Sequence, residues 1–437
     1  MAFYQVLTNI TIQQIPSDKW ASRDLIITIP FLHKYEGDST YANLTQNFKL
    51  EIPKRVRVRV TSKSNPNSSS LISLANVSEA YSNMGGFAPN VIPVFMSGDI
   101  VTVNVGYRAF VNDIEQTQTT GFNTYDPTNP PLFQGYISHV KTKMSITLTC
   151  EDNMWLLKQI PTPIKTWNSN TIQTVVQSML DANSATGDKS IINKYAKYGV
   201  NLKISDYSKT DLVFNVSNLI SKGENLASFL ARLKKQYHVD SYFRGNELRI
   251  GYTHYVPTDL KQYTFTFQKN IISDSLVWKC KDDIVLSMIV KSHYKVTSTG
   301  STKDGSPKTT MKCTEILIFN PNGKDGLFQK VSKTKGVDFP PNEEGERHTM
   351  MLYSNITDEN QLFKIGVTQL QKFYYDGFRG SFTTFGLPHV KHGDMVVLVD
   401  PLLPERNGEY MVKRVDISGG ADEGLRQTIH LDYKILS

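Results

Sequence analysis

The apolar positions of the first 150 residues recur with a period of two. Val6–Gln13 (VLTNITIQ), Asp24–Phe31 (DLIITIPF) and Asn47–Ile52 (NFKLEI) alternate or are rich in β-branched residues, with Gly, Asp, Asn and Ser between them. Successive strand side chains point to opposite faces, so this pattern predicts strands with one buried and one wet face. The basic run Lys54–Val60 (KRVRVRV) obeys the same rule and reads as a solvated strand face, not a basic tract. Residues 62–97 and 112–131 are polar and rich in Ser, Asn and Thr; at that length they predict contact loops.

The period changes after Cys150. Ser169–Leu180 places Ile172, Val175, Val176 and Met179 at i, i+3, i+4 and i+7, which predicts a helix with one buried face. Ser221–Tyr237 repeats the pattern with Leu226, Phe229, Leu230, Leu233 and Tyr237, and Ser221 and Glu224 have the spacing of a capping box. Gly245-Asn246, between DSYFR and ELRIGY, predicts a hairpin. Strands resume at Tyr263–Gln268. A long hairpin follows around Gly300–Lys308, then one helix over 358–375 with Asp358 as its N-cap, then strands to the end. The fold class read from this order is a β-rich α+β chain. Residues 1–158 form a first tube-like β-barrel domain carrying the polar insertions, 159–262 a small α+β domain, and 263–437 a second tube-like β-barrel domain.

The two barrels are read as a duplication because one phrase occurs twice. Gly98-Asp99-Ile100-Val101-Thr102-Val103 matches Gly393-Asp394-Met395-Val396-Val397-Leu398. Tyr136-Ile137-x-x-Val140 then matches Met411-Val412-x-x-Val415, and Ser145-Ile146-Thr147-Leu148 matches Thr428-Ile429-His430-Leu431. Gly admits positive φ and Asp bonds nearby backbone, so each copy opens on a tight turn that feeds a strand. The connections differ in length, as loops of diverging copies do. Three chains of two like units each would place six like units around an axis.

Composition changes this picture little. A chain of 437 residues exceeds the ~250–300 over which a single core grows, so two or three domains are expected. The net charge of +7 is spread along the chain, which argues against sequence-specific nucleic-acid recognition. Three cysteines, Cys150, Cys280 and Cys313, have no metal-ligand spacing and are expected to be buried or inert thiols. No apolar run of about 18 residues predicts a membrane span. The first twenty residues lack the layout of a secretory signal, so synthesis and assembly in a cytoplasm are expected.

Two segments carry a resemblance. Residues 132–159 (LFQGYISHVKTKMSITLTCEDNMWLLKQ) resemble the closing strands of the first tube domain in baseplate hub proteins of contractile tails. Residues 370–435 resemble the second, where "G-x-P-x-V-x-x-G-D" precedes "G-x-Y-x-V-x-x-V"; the matching positions are Gly386, Pro388, Val390, Gly393, Asp394, Gly408, Tyr410, Val412 and Val415. That family includes phage hubs of the late control protein D type and the hub portion of type VI secretion spike proteins. The resemblance implies a homotrimer in a tail or injection-system baseplate, between a hexameric tail tube and a trimeric central spike and in contact with other baseplate proteins.

Some hubs carry a peptidoglycan-cleaving domain, a chemistry that needs two carboxylates flanking the sugar. Glu151-Asp152 and Glu343-Glu344 are adjacent pairs in turns, where both side chains usually face water rather than flank a sugar. His389-x-x-His392 is half of a metal site without a third ligand and reads as a polar loop. Trp155 and Trp167 read as anchors between the first barrel and the middle domain. GxSxG, HExxH, GxxxxGK[ST] and GxGxxG do not occur. No catalytic, cofactor-binding or metal-binding residue is assigned, no cofactor is expected, and the expectation is a structural protein. The competing readings are a tail-tip peptidoglycan hydrolase and a receptor- or carbohydrate-binding tail module.

Overall fold

A computed structural model describes the chain apart from residues 1, 68, 78–91, 112–113, 116–130, 168–169, 186–189, 206–214, 217–218, 238, 252–260, 282–285, 302–306, 321–327, 342–345, 353–355, 421–423 and 436–437. Most of the two expected contact loops therefore lies outside the described residues. The remainder of the first is not all loop: Ser69–Ser73 is a strand, and Leu74, Val77, Ile92 and Phe95 are buried.

The alternating segments of the N-terminal third form β1 (Ala2–Gln13), β2 (Leu25–Ile29), β3 (Lys34–Thr40), β4 (Asn47–Pro53), β5 (Arg57–Ser62), β6 (Ser69–Ser73), β7 (Ile100–Val111), β8 (Phe133–Thr142) and β9 (Ser145–Glu151). β5 buries Val58 and Val60 and turns Arg57 and Arg59 to water, as its period requires. The middle region supplies α1 (Met154–Leu157), α2 (Ile172–Ala185), α3 (Ile191–Ala196), α4 (Leu226–Tyr237) and the hairpin of β10 (Asp240–Arg244) and β11 (Glu247–Gly251). After it come β12 (Gln262–Thr266), β13 (Ile271–Asp274), β14 (Val277–Lys279), β15 (Leu286–Ser301), β16 (Pro307–Phe319), β17 (Gln329–Ser332), β18 (Glu346–Leu352) and α5 (Glu359–Gln371). β19 (Gly377–Arg379), β20 (Ser381–Phe385), β21 (Met395–Val399), β22 (Gly408–Gly420) and β23 (Gly424–Lys434) complete the chain. The protein is a β-rich α+β fold.

One 16-stranded sheet runs through both ends of the chain, in the order β13-β20-β23-β22-β3-β4-β9-β8-β7-β1-β2-β5-β6, with β21 bridging β12 and β22 beside this path and a two-residue strand, Ile114–Glu115, on β7. The two like units meet where β22 pairs antiparallel with β3, from Arg414↔Thr40 to Gly420↔Lys34. They also share one core, in which Ile12, Val103 and Leu148 pack in the same cluster as Phe382, Val396 and Ile429. The Tyr107 hydroxyl stitches the units further, donating to the Leu425 carbonyl at 2.8 Å and accepting from Gly386 N at 3.3 Å.

A second cluster fills the middle region, where the α4 stripe of Leu226, Phe229, Leu230 and Leu233 packs on Val175, Val176, Phe243 and Ile250. The capping box expected at Ser221 does not form. Residues Leu219–Lys222 are a strand paired with Ile164–Trp167, and the helix starts later, where Asn225 Oδ1 accepts from Ser228 N at 2.8 Å. Ser221 is buried and its hydroxyl accepts from Trp167 Nε1 at 3.1 Å, while Glu224 pairs with Arg232 at 2.5 Å. The Asp358 cap forms as expected, accepting from Asn360 N at 3.0 Å.

Between β14 and β19 the chain builds a separate four-stranded sheet, β17-β16-β15-β18, covered by α5 through a third core. Here α5 approaches so closely that a Cβ on Gly366 would lie 2.3 Å from Ile318 Cδ1 and 2.8 Å from Val290 Cγ2. Alanine gains up to about 1 kcal/mol in helix propensity. Overpacking of a core costs about 1–3 kcal/mol, and with two β-branched side chains in the way that loss prevails. Gly366→Ala is expected to lower stability by about 1–2 kcal/mol on this balance, read as a lower urea midpoint at unchanged slope.

Candidate functional site

The two Gly-Asp turns have the same atomic plan. Gly98 and Gly393 both have positive φ, 92° and 73°, which a side chain disfavours. Gly98 N donates to Ile137 O at 2.8 Å, and Gly393 N to Val412 O at 2.8 Å. The return bonds are Ile137 N to Asp99 O and Val412 N to Asp394 O, each 2.9 Å. Each carboxylate bonds backwards as well: Asp99 Oδ2 accepts from Met96 N, and Asp394 Oδ2 from Lys391 N, both at 2.8 Å.

The strands after the turns keep the correspondence. Ile100 faces Tyr136 and Met395 faces Met411. Each return strand then skips one residue, Ser138 in β8 and Lys413 in β22. The third match shifts by two residues from its sequence alignment. Val140 faces Leu148 and Val415 faces Ile429, so Leu148 corresponds to Ile429 and Cys150 to Leu431. A two-residue slip keeps every side chain on its face, so alternation alone does not separate the two registers.

Each turn aspartate is held by an arginine, and the arginines come from different places. Arg23, 1% exposed, donates to Asp99 Oδ1 at 2.8 Å and Oδ2 at 2.6 Å, and to the carbonyls of Ile15, Pro93 and Val94. All five guanidinium N–H groups are thereby used, which makes a buried charge pair tolerable. In the second unit the ligand is Arg244, at the end of β10 in the middle region. It donates to Asp394 Oδ1 at 2.6 Å and to Gly393 O at 3.0 Å. The middle region also grips the first turn: Tyr195 on α3 donates to Gly98 O at 2.6 Å and packs with Tyr136 and Trp155. Neither arginine stands out in sequence, because their distances in the chain from the turns they serve are unrelated.

Trp155 thus sits at the seam expected of it, stacked on Tyr136 at 5.2 Å, whereas Trp167 belongs to the middle core. A cavity of about 430 Å³ opens beside the second turn, lined among others by Ser39, Asp152, Arg244, Lys261 and His392. The loop of His389 and His392 is not a solvated one. His392 is 1% exposed, bonded through Nδ1 to Ser39 Oγ at 2.7 Å, and burial holds it well below the usual imidazole range. Burial lowers His389 to about 4, opposed by its bond to the Val105 carbonyl. Neutral rings suit a junction that already holds Arg244 and Lys391.

The candidate acids do not converge. Glu151 pairs with Lys158 at 2.5 Å, while the adjacent Asp152 is buried and accepts from Met154 N at 3.1 Å. Glu343 and Glu344 lie outside the described residues. Of the three cysteines expected to be buried or inert, Cys150 is a core residue, while Cys280 and Cys313 are free and exposed. Among the described residues no three His, Cys, Asp or Glu side chains are grouped to hold a metal, and no helix is long and apolar enough to cross a membrane.

Neither a family model nor a curated relative matches the sequence. Solved structures do match in fold. The tail protein from Neisseria meningitidis MC58 superposes with a TM-score of 0.51 at 11% identity, covering 98% of this chain and 96% of that one. The chain has a tail-protein fold. Two further similarities are the 43 kDa tail protein of prophage MuSo2 from Shewanella oneidensis (TM-score 0.48, 12% identity, 97% and 98% covered) and a type VI secretion component of E. coli (TM-score 0.41, 9% identity, 92% and 73% covered).

Removing one partner of a buried ion pair leaves the other bare, at a cost of about 3–5 kcal/mol. Arg23→Ala is expected to cost that much. Arg244→Ala should cost less, since Arg244 borders the cavity and water can reach Asp394; urea midpoints of the two variants test the order. A second expectation concerns pH. Burial raises the Asp152 carboxyl to about 7, with the Met154 amide pulling the other way. The unfolded carboxyl titrates near ~3.9, so between those values the folded chain holds a proton that the unfolded chain has released. This group therefore weakens the fold as pH rises through that window. Asp152→Asn should melt higher than the parent at pH 8, with the advantage gone by pH 4.

Proposed function

We propose that this chain is a structural hub of a tail-type machine. Three copies form a ring of six like units that joins a hexameric tail tube to a trimeric central spike and lines the channel between them. Other baseplate proteins dock around it, and the ring is assembled in a bacterial cytoplasm before it serves in a tail or injection-system baseplate. The observation that carries this reading is the duplicated turn, matched bond for bond in two units of one continuous sheet. A chain with two equivalent units gives a three-fold assembly six-fold contacts on one side while leaving it three-fold on the other. The tail-protein fold agrees with this role.

The function is mechanical, with no reaction assigned. The exposed face of the shared sheet carries close charge pairs, Lys49–Glu36 at 2.8 Å and Arg414–Asp416 at 2.6 Å, while Arg57 and Arg59 face water. Such exposed pairs add little stability. The hydrolase reading gains nothing from Glu151 and Asp152, which are engaged in different directions.

Light scattering on the concentrated chain is expected to give a species of three chain masses. A single-chain mass at every concentration, also in the presence of tube and spike proteins, overturns the reading. So does release of soluble fragments from purified cell walls.

A further inference from the structure

The joint between the two units inside one chain predicts a second joint that the described residues do not make with one another. Equivalence follows from pairing. Leu148 corresponds to Ile429, and these face Leu50 and Phe382, which in turn face Tyr35 and Asp274. So β3 of the first unit corresponds to β13 and β14 of the second, just as β8 corresponds to β22. Within the chain β22 pairs with β3. The equivalent edges are β8 beyond Ile137 and the outer edge of β13 and β14, and among the described residues no strand pairs with either.

Exposure marks the difference. Val415 on β22 is 0% exposed beneath β3, but its equivalent Val140 on β8 is 38% exposed. The turn after β8 leaves Met144 at 97% exposure, and the opposite free edge leaves Ile272 at 46% and Val277 at 55%. Open strand edges with apolar side chains are an aggregation hazard that proteins cover or blunt. These two edges, unpaired among the described residues, are of the kinds that already fit each other once.

Building on the ring reading above, we propose that β8 of one copy pairs antiparallel with β13 and β14 of the next, in the register of the internal joint. Transfer of the β22–β3 register sets Val140 opposite Trp278, Lys141 opposite Val277, Thr142 opposite Leu276 and Lys143 opposite Ser275. Val140 and Val277 are covered, and Lys143 comes beside Asp274. The contact is heterologous, one edge to a different edge, so it propagates until it closes. Three chains then hold six joints of one design, three inside chains and three between them.

Engineered disulfides test the register. Lys141→Cys with Val277→Cys, in a chain also carrying Cys280→Ser and Cys313→Ser, should oxidise to a ladder ending at three chain masses on a non-reducing gel. The control is Asp416→Cys with Asp38→Cys, the equivalent pair that faces across β22 and β3, which should close within one chain and leave the mass unchanged. A three-chain species by light scattering that stays uncross-linked at 141 and 277, while the control closes, overturns this joint and leaves the ring standing. A one-chain mass in both measurements overturns the joint and the ring together.

Discussion

Backbone N–H and C=O groups at a strand edge must find partners, and in this chain that demand is met by pairing one unit with its own copy. The β22–β3 ladder makes a single sheet of two segments that lie far apart in the chain. Everything else is arranged around that ladder. The common core forms behind it, and the Tyr107 hydroxyl reaches from one unit to the other. Neither unit is complete alone, since each leaves an edge and an apolar face that the other covers.

The middle region is fastened to both Gly-Asp turns rather than hung on a linker. Tyr195 reaches the first turn and Arg244 the second, and Gln46 and Asn153 tie the β10–β11 hairpin to the first unit through the carbonyls of Phe243 and Gly245. Three bodies therefore meet at one polar junction, in which burial favours neutral imidazoles and a protonated carboxyl. Groups in such a place report on packing, and their strong perturbation need not signal catalysis.

Much of the fold was legible in the sequence because it rests on period. Alternation located β5, the 3.6-residue stripe located α4, and Gly245-Asn246 located the β10–β11 turn. The repeat was legible because glycine at positive φ and a backbone-bonding aspartate are demands of the turn itself. What period does not encode was missed. The third repeat match slipped by two residues, a shift that alternation cannot see. Ser221 and Glu224 have the spacing of a capping box, but strand pairing with Ile164–Trp167 claims the Ser221 backbone first. The arginines were invisible because their role depends on where distant segments meet, and His389 and His392 because only tertiary contact decides whether a polar loop is wet.

The two turns share a carboxylate but not its counter-ion. Arg23 belongs to the unit it serves; Arg244 is borrowed from the intervening segment. If the units descend from one ancestor, the second has since surrendered its self-sufficiency. Asp394 now draws its counter-charge from Arg244, so loss of the intervening segment would leave a buried carboxylate without it. A repeated part that looks like a spare is thus a dependant, its carboxylate compensated only in the company of its neighbour.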